Sequence, residues 1–344
     1  MLKIGTFLIE GLGGRPSEIY ETARLVEEVG LDGLFVGENH FPEEGVPPEK
    51  QGAWGLTSAP LMLCMAIAAN TKRLRIGTSV LALPLHHAME VAKQAAAIDA
   101  LSEGRMVLGI GIGMEANGFA EYGIPYTHRF SLLEEGVELI RRAWTEERFT
   151  CLGRRYNVRN GSLNLRPFNS FSIPLWVAAR TEGGAKRAGR IGDAIVIDAA
   201  TTLEETKAVV NTYRQICEKR NRQPYVVLMR DICIGTSAAD ARRKYEEGVI
   251  DRFRLYWSWK YLNATYDPWI TQIDNAAEVT WELTTKDRMI VGSSEDSLNE
   301  IRKWKQEIGC DYMMLEFLMP SGGRNQVLED IRQFGRSVLP RIDC

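Results

Sequence analysis

The stretch of residues 73–113, RLRIGTSVLALPLHHAMEVAKQAAAIDALSEGRMVLGIGIG, decides the fold. It begins with an apolar run, continues into an alanine-rich segment of helical character and ends in a second apolar run with alternate glycines. Two apolar strands joined by a helix are typical of a parallel sheet whose faces are both covered by helices. We therefore take strand–helix–strand as the unit to look for in the rest of the chain.

The same alternation continues through most of the 344 residues. Counted coarsely, eight apolar runs are each followed by a helical segment. Eight such units in one chain of this length predict an α/β fold, a closed (β/α)8 TIM barrel rather than an open doubly wound sheet. Residues of about 251–286 break the rhythm with many aromatic side chains, and we interpret them as an insertion before the last strand of a single domain spanning 1–344.

The composition is that of a soluble globular protein, with 45% hydrophobic and 25% charged residues. A net charge of −3 gives no reason to expect nucleic acid or an anionic membrane as a partner. The first residues, MLKIGTFLIE, lack the features of a signal peptide, and no apolar run approaches the ~18 residues of a membrane span. Six cysteines without metal-binding spacing predict buried thiols, so we expect a cytoplasmic protein without a metal centre.

The active site of such a barrel lies at the carboxyl ends of the strands. His40, in the sequence GENHF, follows the second apolar run, where an imidazole could transfer a proton near pH 7 or hydrogen-bond its own loop. Glu38 could orient His40 or a ligand, or form a salt bridge with a helix. We interpret Glu38 and His40 as candidate catalytic residues.

Small residues end the third and fourth strands. Ser79 closes a Gly-Thr-Ser run, which either admits a planar ligand or reflects tight barrel packing. The sequence GIGIG at 109–113 does not match the dinucleotide motif GxGxxG, because position 114 is Met114. Its alternate glycines, Gly111 among them, leave one face of the strand bare, and we expect room there for a ligand in the barrel mouth.

The segment AARTEGGAKRAGRIGD, residues 178–193, combines a strand end with a helix start. Backbone N–H groups, a hydroxyl and a guanidinium at such a junction suit a phosphate, although an ordinary capped helix has the same pattern. The candidate phosphate ligands are Arg180, Thr181, Gly183 and Gly184. The pair His86 and His87 is expected to cap a helix or lie at the surface, and His128 is a loop residue or a ligand contact.

These segments, in this order, resemble the bacterial luciferase-like flavin-dependent family, which includes FMN-dependent monooxygenases and reductases that use the deazaflavin F420. The resemblance implies a barrel that holds the isoalloxazine ring near the ends of the first four strands. It implies a cis peptide bond between Ser79 and Val80, Gly111 beside the ring, and the phosphate at Ala179 and the four residues named above. The segments that carry it are GLDGLFVGENHF, residues 74–113, YGIPYTHRFSLLEEGVELIRRAW, IPLWVAARTEGGAKRAGRIGDAIVI and VGSSEDSLNEIRKWKQEIGCDYMMLEF.

The function that the resemblance implies is a two-component monooxygenase acting on an apolar organic substrate. Reduced FMN from a separate flavin reductase would react with O2 to give a C4a-(hydro)peroxyflavin, and the aromatic insertion would wall the substrate pocket or form a dimer face. An F420-dependent reductase or dehydrogenase is the alternative, and a non-catalytic flavin-binding protein is a second one. Because Asn39 stands where luciferase has the first histidine of Glu-His-His-Phe, light emission is not expected. A homodimer is expected from the resemblance alone.

Overall fold

Eight parallel strands form a closed barrel in the computed structural model, which describes residues 2–8, 15–38, 59–114, 116–168 and 172–343. Each strand pairs with its neighbour in chain order, and the last pairs with the first, which confirms the (β/α)8 prediction. The strands are β1 (Lys3–Phe7), β2 (Gly33–Val36), β3 (Arg75–Thr78), β4 (Met106–Gly111), β5 (Leu175–Ala178), β6 (Ala194–Ile197), β7 (Val226–Ile234) and β8 (Tyr312–Phe317).

Helices surround the barrel and return the chain to the start of each next strand. They are α1 (Pro16–Glu28), α2 (Pro60–Asn70), α3 (Ala88–Leu101), α4 (Ala116–Glu121), α5 (Arg129–Thr145), α6 (Glu182–Ile191), α7 (Leu203–Lys219), α8 (Ala238–Ser258), α9 (Trp281–Thr285), α10 (Ser294–Ile308) and α11 (Arg324–Ser337). Short 3-10 helices occupy Leu83–Leu85, Tyr126–His128, Pro268–Thr271, Ala276–Glu278 and Leu339–Arg341.

Four further strand segments lie outside the barrel order. Leu81–Ala82 pairs with the end of β4, and Ile290–Gly292 pairs with the end of β7. An antiparallel hairpin, Phe149–Leu152 with Asn157–Gly161, follows α5.

Aromatic side chains fill the barrel below its mouth. The rings of Phe35 and Trp176 stack with their centroids 5.2 Å apart, and Tyr312 meets Trp176 edge-on at 5.2 Å. Glycines make space for these rings, since a Cβ on Gly5 would collide with the Tyr312 hydroxyl. The barrel is therefore a packed core, and a ligand has to bind above this layer.

The aromatic segment 251–286 lies between β7 and β8. It continues the end of α8 and then folds into two 3-10 turns and α9. Its buried rings, Phe253, Trp269 and Trp281, form a hydrophobic cluster of their own with residues of α8. The Arg288 guanidinium pairs with buried Asp267, which fixes the segment against the chain that leads into Ile290–Gly292.

Two expectations from composition can be compared with the structure. Five cysteines, at positions 64, 151, 217, 233 and 310, are buried free thiols, as the sequence predicts, and Cys344 lies outside the described residues. Within the described ranges, the helices lack the combination of length and hydropathy needed to cross a lipid bilayer.

Candidate active site at the carboxyl end of the barrel

The ends of β3 and β7 meet across the mouth of the barrel. Ser79 follows β3, is 6% exposed, and its Oγ lies 3.3 Å from the Met229 Sδ on β7. The peptide bond between Ser79 and Val80 is cis, at the position that the resemblance implies. These residues form the floor on which a ligand at the mouth would rest.

The glycines of β4 pack directly against this floor. A Cβ on Gly109 would run into the Thr78 carbonyl, and Thr78 Oγ1 donates to the Gly109 carbonyl at 2.6 Å. A Cβ on Gly111 would lie 2.8 Å from Val80 Cγ2. The expectation of open space beside these glycines is therefore wrong, because the chain after β3 fills it. A ligand near Gly111 would contact Val80.

Glu38 has a buried carboxylate at the end of β2. Its side chain is 1% exposed, one oxygen accepts the Ala82 N–H, and Oε1 lies 2.5 Å from His86 Nε2. Glu38 thus ties the end of β2 to the loop after β3. His86 is one partner of Glu38 and comes from a loop that the sequence did not suggest; orientation of His40 or a ligand by Glu38 stays a prediction. Since His40 lies outside the described residues, its catalytic role stays a prediction.

The two neighbouring histidines have different roles. His87 caps α3, because its Nδ1 accepts the Met89 N–H at 3.2 Å, which confirms capping. His86 belongs to the site through Glu38, and the sequence analysis missed it. Glu38 and His86 are 48 residues apart, so no local pattern in the sequence links them. Glu38 follows β2 and His86 follows β3, and the ends of these adjacent parallel strands lie side by side.

The start of α6 is an ordinary capped helix that remains open to solvent. Thr181 Oγ1 accepts the Gly184 N–H at 3.1 Å, and Gly183 is exposed. Gly184 packs on Ala179, since a Cβ there would lie 3.0 Å from that of Ala179. The capped-helix interpretation is thus confirmed, and phosphate binding at these residues stays a prediction.

Arg180 is held by the insertion. Its Nη1 donates to the Tyr261 carbonyl at 2.8 Å, and its guanidinium lies 3.9 Å above the Tyr261 ring. Burial alone would lower the pKa of Arg180, but the charges of Asp198 and Glu205 outweigh it and the pKa is raised. The Nε of Arg180 is buried without a hydrogen-bond partner among the described residues. The guanidinium therefore stays charged and keeps one donor unused.

Carboxylates line the mouth at the ends of β6, β7 and β8. Asp231 on β7 and Glu316 on β8 are register partners and continue the inward-facing alternation of Met229 and Met314. Arg252 of α8 bridges them, 3.6 Å from Asp231 Oδ1 and 2.9 Å from Glu316 Oε1. Burial first, and then the charge of Glu316, raises the pKa of Asp231 to about 7, against the opposing effect of Arg252.

Asp198 completes this acidic side at the end of β6. The Tyr261 hydroxyl donates to its Oδ2 at 2.7 Å. Asp198 and Glu316 are recognisable in the sequence as acids at strand ends, but Asp231 lies inside the long apolar run of β7 and was missed. A count of alternate positions in β7, from Val227 to Met229 to Asp231, would have placed it at the mouth.

Comparison with known proteins shows the family of the chain and its fold. The family model described as luciferase-like monooxygenase matches residues 3–338. The 4-hydroxyprotoasukamycin monooxygenase of Streptomyces nodosus subsp. asukaensis is 24% identical, over 94% of this chain and 86% of the relative. F420-dependent glucose-6-phosphate dehydrogenase 2 of Rhodococcus jostii is 32% identical, over 95% of this chain and 94% of the relative.

A solved structure shows the same fold. It is the oxygenating constituent of 3,6-diketocamphane monooxygenase of Pseudomonas putida, a type II Baeyer–Villiger monooxygenase in complex with FMN. The likeness has a TM-score of 0.80 at 16% identity and covers 99% of both chains. With a family model that covers nearly the whole sequence, the chain belongs to the luciferase-like monooxygenase family of oxidoreductases.

Proposed function

We propose that the chain is a flavin-dependent monooxygenase that uses reduced FMN, supplied by a separate flavin reductase, and O2 on an organic substrate with a largely apolar body. The observation that carries the cofactor site of this proposal is the buried Nε of Arg180, which has no hydrogen-bond partner among the described residues and lies next to the open start of α6. A buried donor without a partner requires an acceptor, and a phosphate supplies one.

The residues around this point fit the phosphate of a flavin. Among the described residues, a Cβ on Gly183 would have only the Thr181 hydroxyl within 4 Å, so an anion can approach the first turn of α6. The Thr181 oxygen accepts the Gly184 N–H, which leaves its hydroxyl proton to be donated. Arg180, Thr181 and Gly183 would therefore hold the phosphate, and Gly184, whose N–H is bound to Thr181, would pack on Ala179 beneath them.

The ring of the cofactor would rest on the floor of the mouth. Val80 is half-buried and covers Gly111, so it offers an apolar surface at the ends of β3 and β4. Reduced FMN, when bound, supplies the two electrons with which one atom of O2 is reduced to water while the other enters the substrate. His40 would hold or transfer a proton beside this floor, and Glu38 fixes the chain from which it extends.

The insertion would exclude water from the side of the mouth at the ends of β5 and β6. Tyr256 packs against Tyr261 with centroids 4.9 Å apart, and Tyr261 is bound to both Arg180 and Asp198. These rings would wall the substrate pocket and keep water from the reacting atoms.

Cofactor binding and turnover test the proposal. The purified chain is titrated with oxidised FMN, reduced FMN and F420, and bound cofactor is measured by fluorescence. We expect reduced FMN to be retained, and a reductase with NADH to support O2 uptake with one oxygen atom incorporated from 18O2 into an organic product. Retention of F420 alone would overturn the FMN proposal.

The F420-dependent reductase remains a second candidate because of one observation. The Rhodococcus relative named as an F420-dependent dehydrogenase is 32% identical over 95% of this chain, a higher identity than that of the Streptomyces monooxygenase. The phosphate site does not discriminate, since both cofactors carry a phosphate. The same titration separates the two candidates.

The assembly and location are also proposals. We propose a homodimer, as the family resemblance implies, with Met62 on α2, which is 56% exposed, in its interface. We propose a cytoplasmic location, where a reductase can supply reduced flavin.

A further inference from the structure

The acidic side of the mouth, formed by Asp198, Asp231 and Glu316, rises above the floor. Met229 contacts the floor, since its Sδ lies 3.3 Å from Ser79 Oγ. Asp231 follows Met229 on β7 by two residues, which corresponds to a rise of about 7 Å along the strand. Asp231, and its register partner Glu316 on β8, therefore stand at the level of a ligand that rests on the floor.

The acidic side carries more negative charge than its neighbours neutralise. Among the described residues, its three carboxylates interact with the guanidiniums of Arg252 and Arg230. Arg180 also interacts with Asp198, but it is balanced by Glu205, whose Oε1 lies 4.0 Å from Arg180 Nη2. One negative charge is thus left in excess, and the phosphate of a cofactor held by Arg180 would add to it.

One oxygen of Asp231 lacks a hydrogen-bond donor. Asp231 is 2% exposed, and its Oδ1 is buried without a hydrogen-bond partner among the described residues. Arg252 Nη1 lies 3.6 Å from this oxygen, beyond the length of a hydrogen bond. A buried acceptor without a donor is unfavourable, so a ligand at the mouth that offers an N–H or O–H group would be bound here.

Aromatic rings of the insertion adjoin the acidic side. Tyr256 lies among the same charges, because burial raises the pKa of its phenol, Arg252 opposes this effect, and the three carboxylates add to it. The ring of Tyr256 is 6.2 Å from that of Trp259, which is exposed. An apolar group packed on these two rings would therefore extend from the carboxylates towards solvent. Aromatic rings also attract cations that lie over their faces.

We propose that the substrate is an organic amine and that the acidic side binds its ammonium group, with Asp231 Oδ1 as the acceptor. An ammonium supplies the missing donor and the missing positive charge together, which a hydroxyl group does not. The apolar body of the amine packs on Tyr256 and Trp259. An anionic head group at the same position is repelled by the carboxylates. The inference rests on the proposed function, whose substrate class it names.

Three probes with a similar apolar body separate the possible head groups. Phenethylamine carries an ammonium, 2-phenylethanol a hydroxyl and 3-phenylpropanoate a carboxylate. Their binding to the purified chain, with and without FMN, is measured by titration calorimetry. Asp231→Asn and Glu316→Gln each remove one charge with little change of shape. Glu246→Gln is the matched control, because it makes the same change in net charge on the same helix as Arg252, where Glu246 pairs with Arg242 at the surface.

We expect wild type to bind the amine most tightly and the carboxylate most weakly. Asp231→Asn should weaken amine binding by about 10–100-fold, the range for a hydrogen bond to a charged group, and should change alcohol binding much less, since the asparagine carbonyl still accepts. Glu316→Gln should weaken amine binding in the same direction, and Glu246→Gln should behave as wild type.

Equal binding of the three probes, or no binding of the amine, overturns the inference. So does an equal loss of amine and alcohol binding in Asp231→Asn, because that result indicates only a disturbed structure. The preference of wild type decides the matter if a variant does not fold. A chain that retains neither FMN nor F420 contradicts the proposed function, whereas one that retains FMN without preferring the amine contradicts only this inference, so the two failures are distinguishable.

Discussion

Asp231 makes the stability of this protein depend on pH, and Asp231→Asn should remove that dependence. The carboxyl group is 3% exposed and faces Glu316, its register partner on β8. Arg252 of α8 is the cation that bridges the two acids, and Arg230 adds a smaller opposing effect. Burial, Glu316 and Asp198 together raise the pKa of Asp231 from 3.8 to about 7.

The sign follows from proton linkage. Since the folded pKa is the higher one, the native state binds more protons than the unfolded state between the two values. The stabilisation is complete below the unfolded pKa and is lost as the pH rises through about 7. At about 1.4 kcal/mol for each pH unit, the total loss is at most about 4 kcal/mol, of which about 2–3 kcal/mol falls between pH 5 and pH 8.

Urea denaturation at about pH 5 and pH 8 measures this loss in wild type and in Asp231→Asn. Asparagine has nearly the same shape but does not ionise. Between pH 5 and pH 8, wild type should therefore lose about 2–3 kcal/mol more of its free energy of unfolding than Asp231→Asn does. Glu316→Gln is a second arm, because without the Glu316 charge the pH dependence of Asp231 should weaken. If wild type and Asp231→Asn lose stability in parallel, the argument about Asp231 is refuted.

Three further predictions follow from local geometry. Gly111→Ala places a Cβ 2.8 Å from Val80, so we expect a loss of about 1–3 kcal/mol in thermal or urea denaturation together with weaker FMN binding, and unchanged binding would contradict the proposed ring position. Thr181→Ala should lower the free energy of unfolding by about 1 kcal/mol through loss of the α6 cap, and it should weaken binding of FMN and F420, which both carry a phosphate. Thr181→Ser should preserve both the stability and the cofactor binding. Equal cofactor affinity in wild type and the two variants would argue against a phosphate there. Met62→Lys should turn a homodimer into a monomer in light scattering, and a dimer that persists would place the interface elsewhere.

The barrel could be predicted from sequence because its signal is local and repeated. Each strand is a short apolar run buried on both faces, as in the four residues Ala194–Ile197, and each is followed by a helix. The histidine cap of α3 and the threonine cap of α6 are also local, since each side chain binds an N–H two or three residues away. The cis bond at Ser79–Val80 came from the family resemblance, and no spacing rule would have supplied it.

The polar contacts of the mouth could not be predicted, because each joins residues that are far apart in sequence. Glu38 and His86 are 48 residues apart, and Arg252 lies 64 residues from Glu316. Whether an acid at a strand end binds a ligand, a loop or a helix depends on which neighbour reaches it first. The tertiary fold determines this neighbour. The sequence could therefore place Glu38 at a strand end, but it could not identify His86 as its partner.

The insertion shows most clearly how tertiary contacts decide the chemistry of the site. From sequence, its rings suggested an apolar wall or a dimer face. The structure adds a polar role: the Tyr261 carbonyl accepts a hydrogen bond from Arg180 on the β5 side, and the Tyr261 hydroxyl donates one to Asp198 on the β6 side. A buried guanidinium and a carboxylate at adjacent strand ends are costly unless each is paired. Because one residue of the insertion satisfies both, the insertion sets the orientation of Arg180. It thereby also sets the position of the Nε that lacks a partner among the described residues and on which the proposed phosphate binding depends.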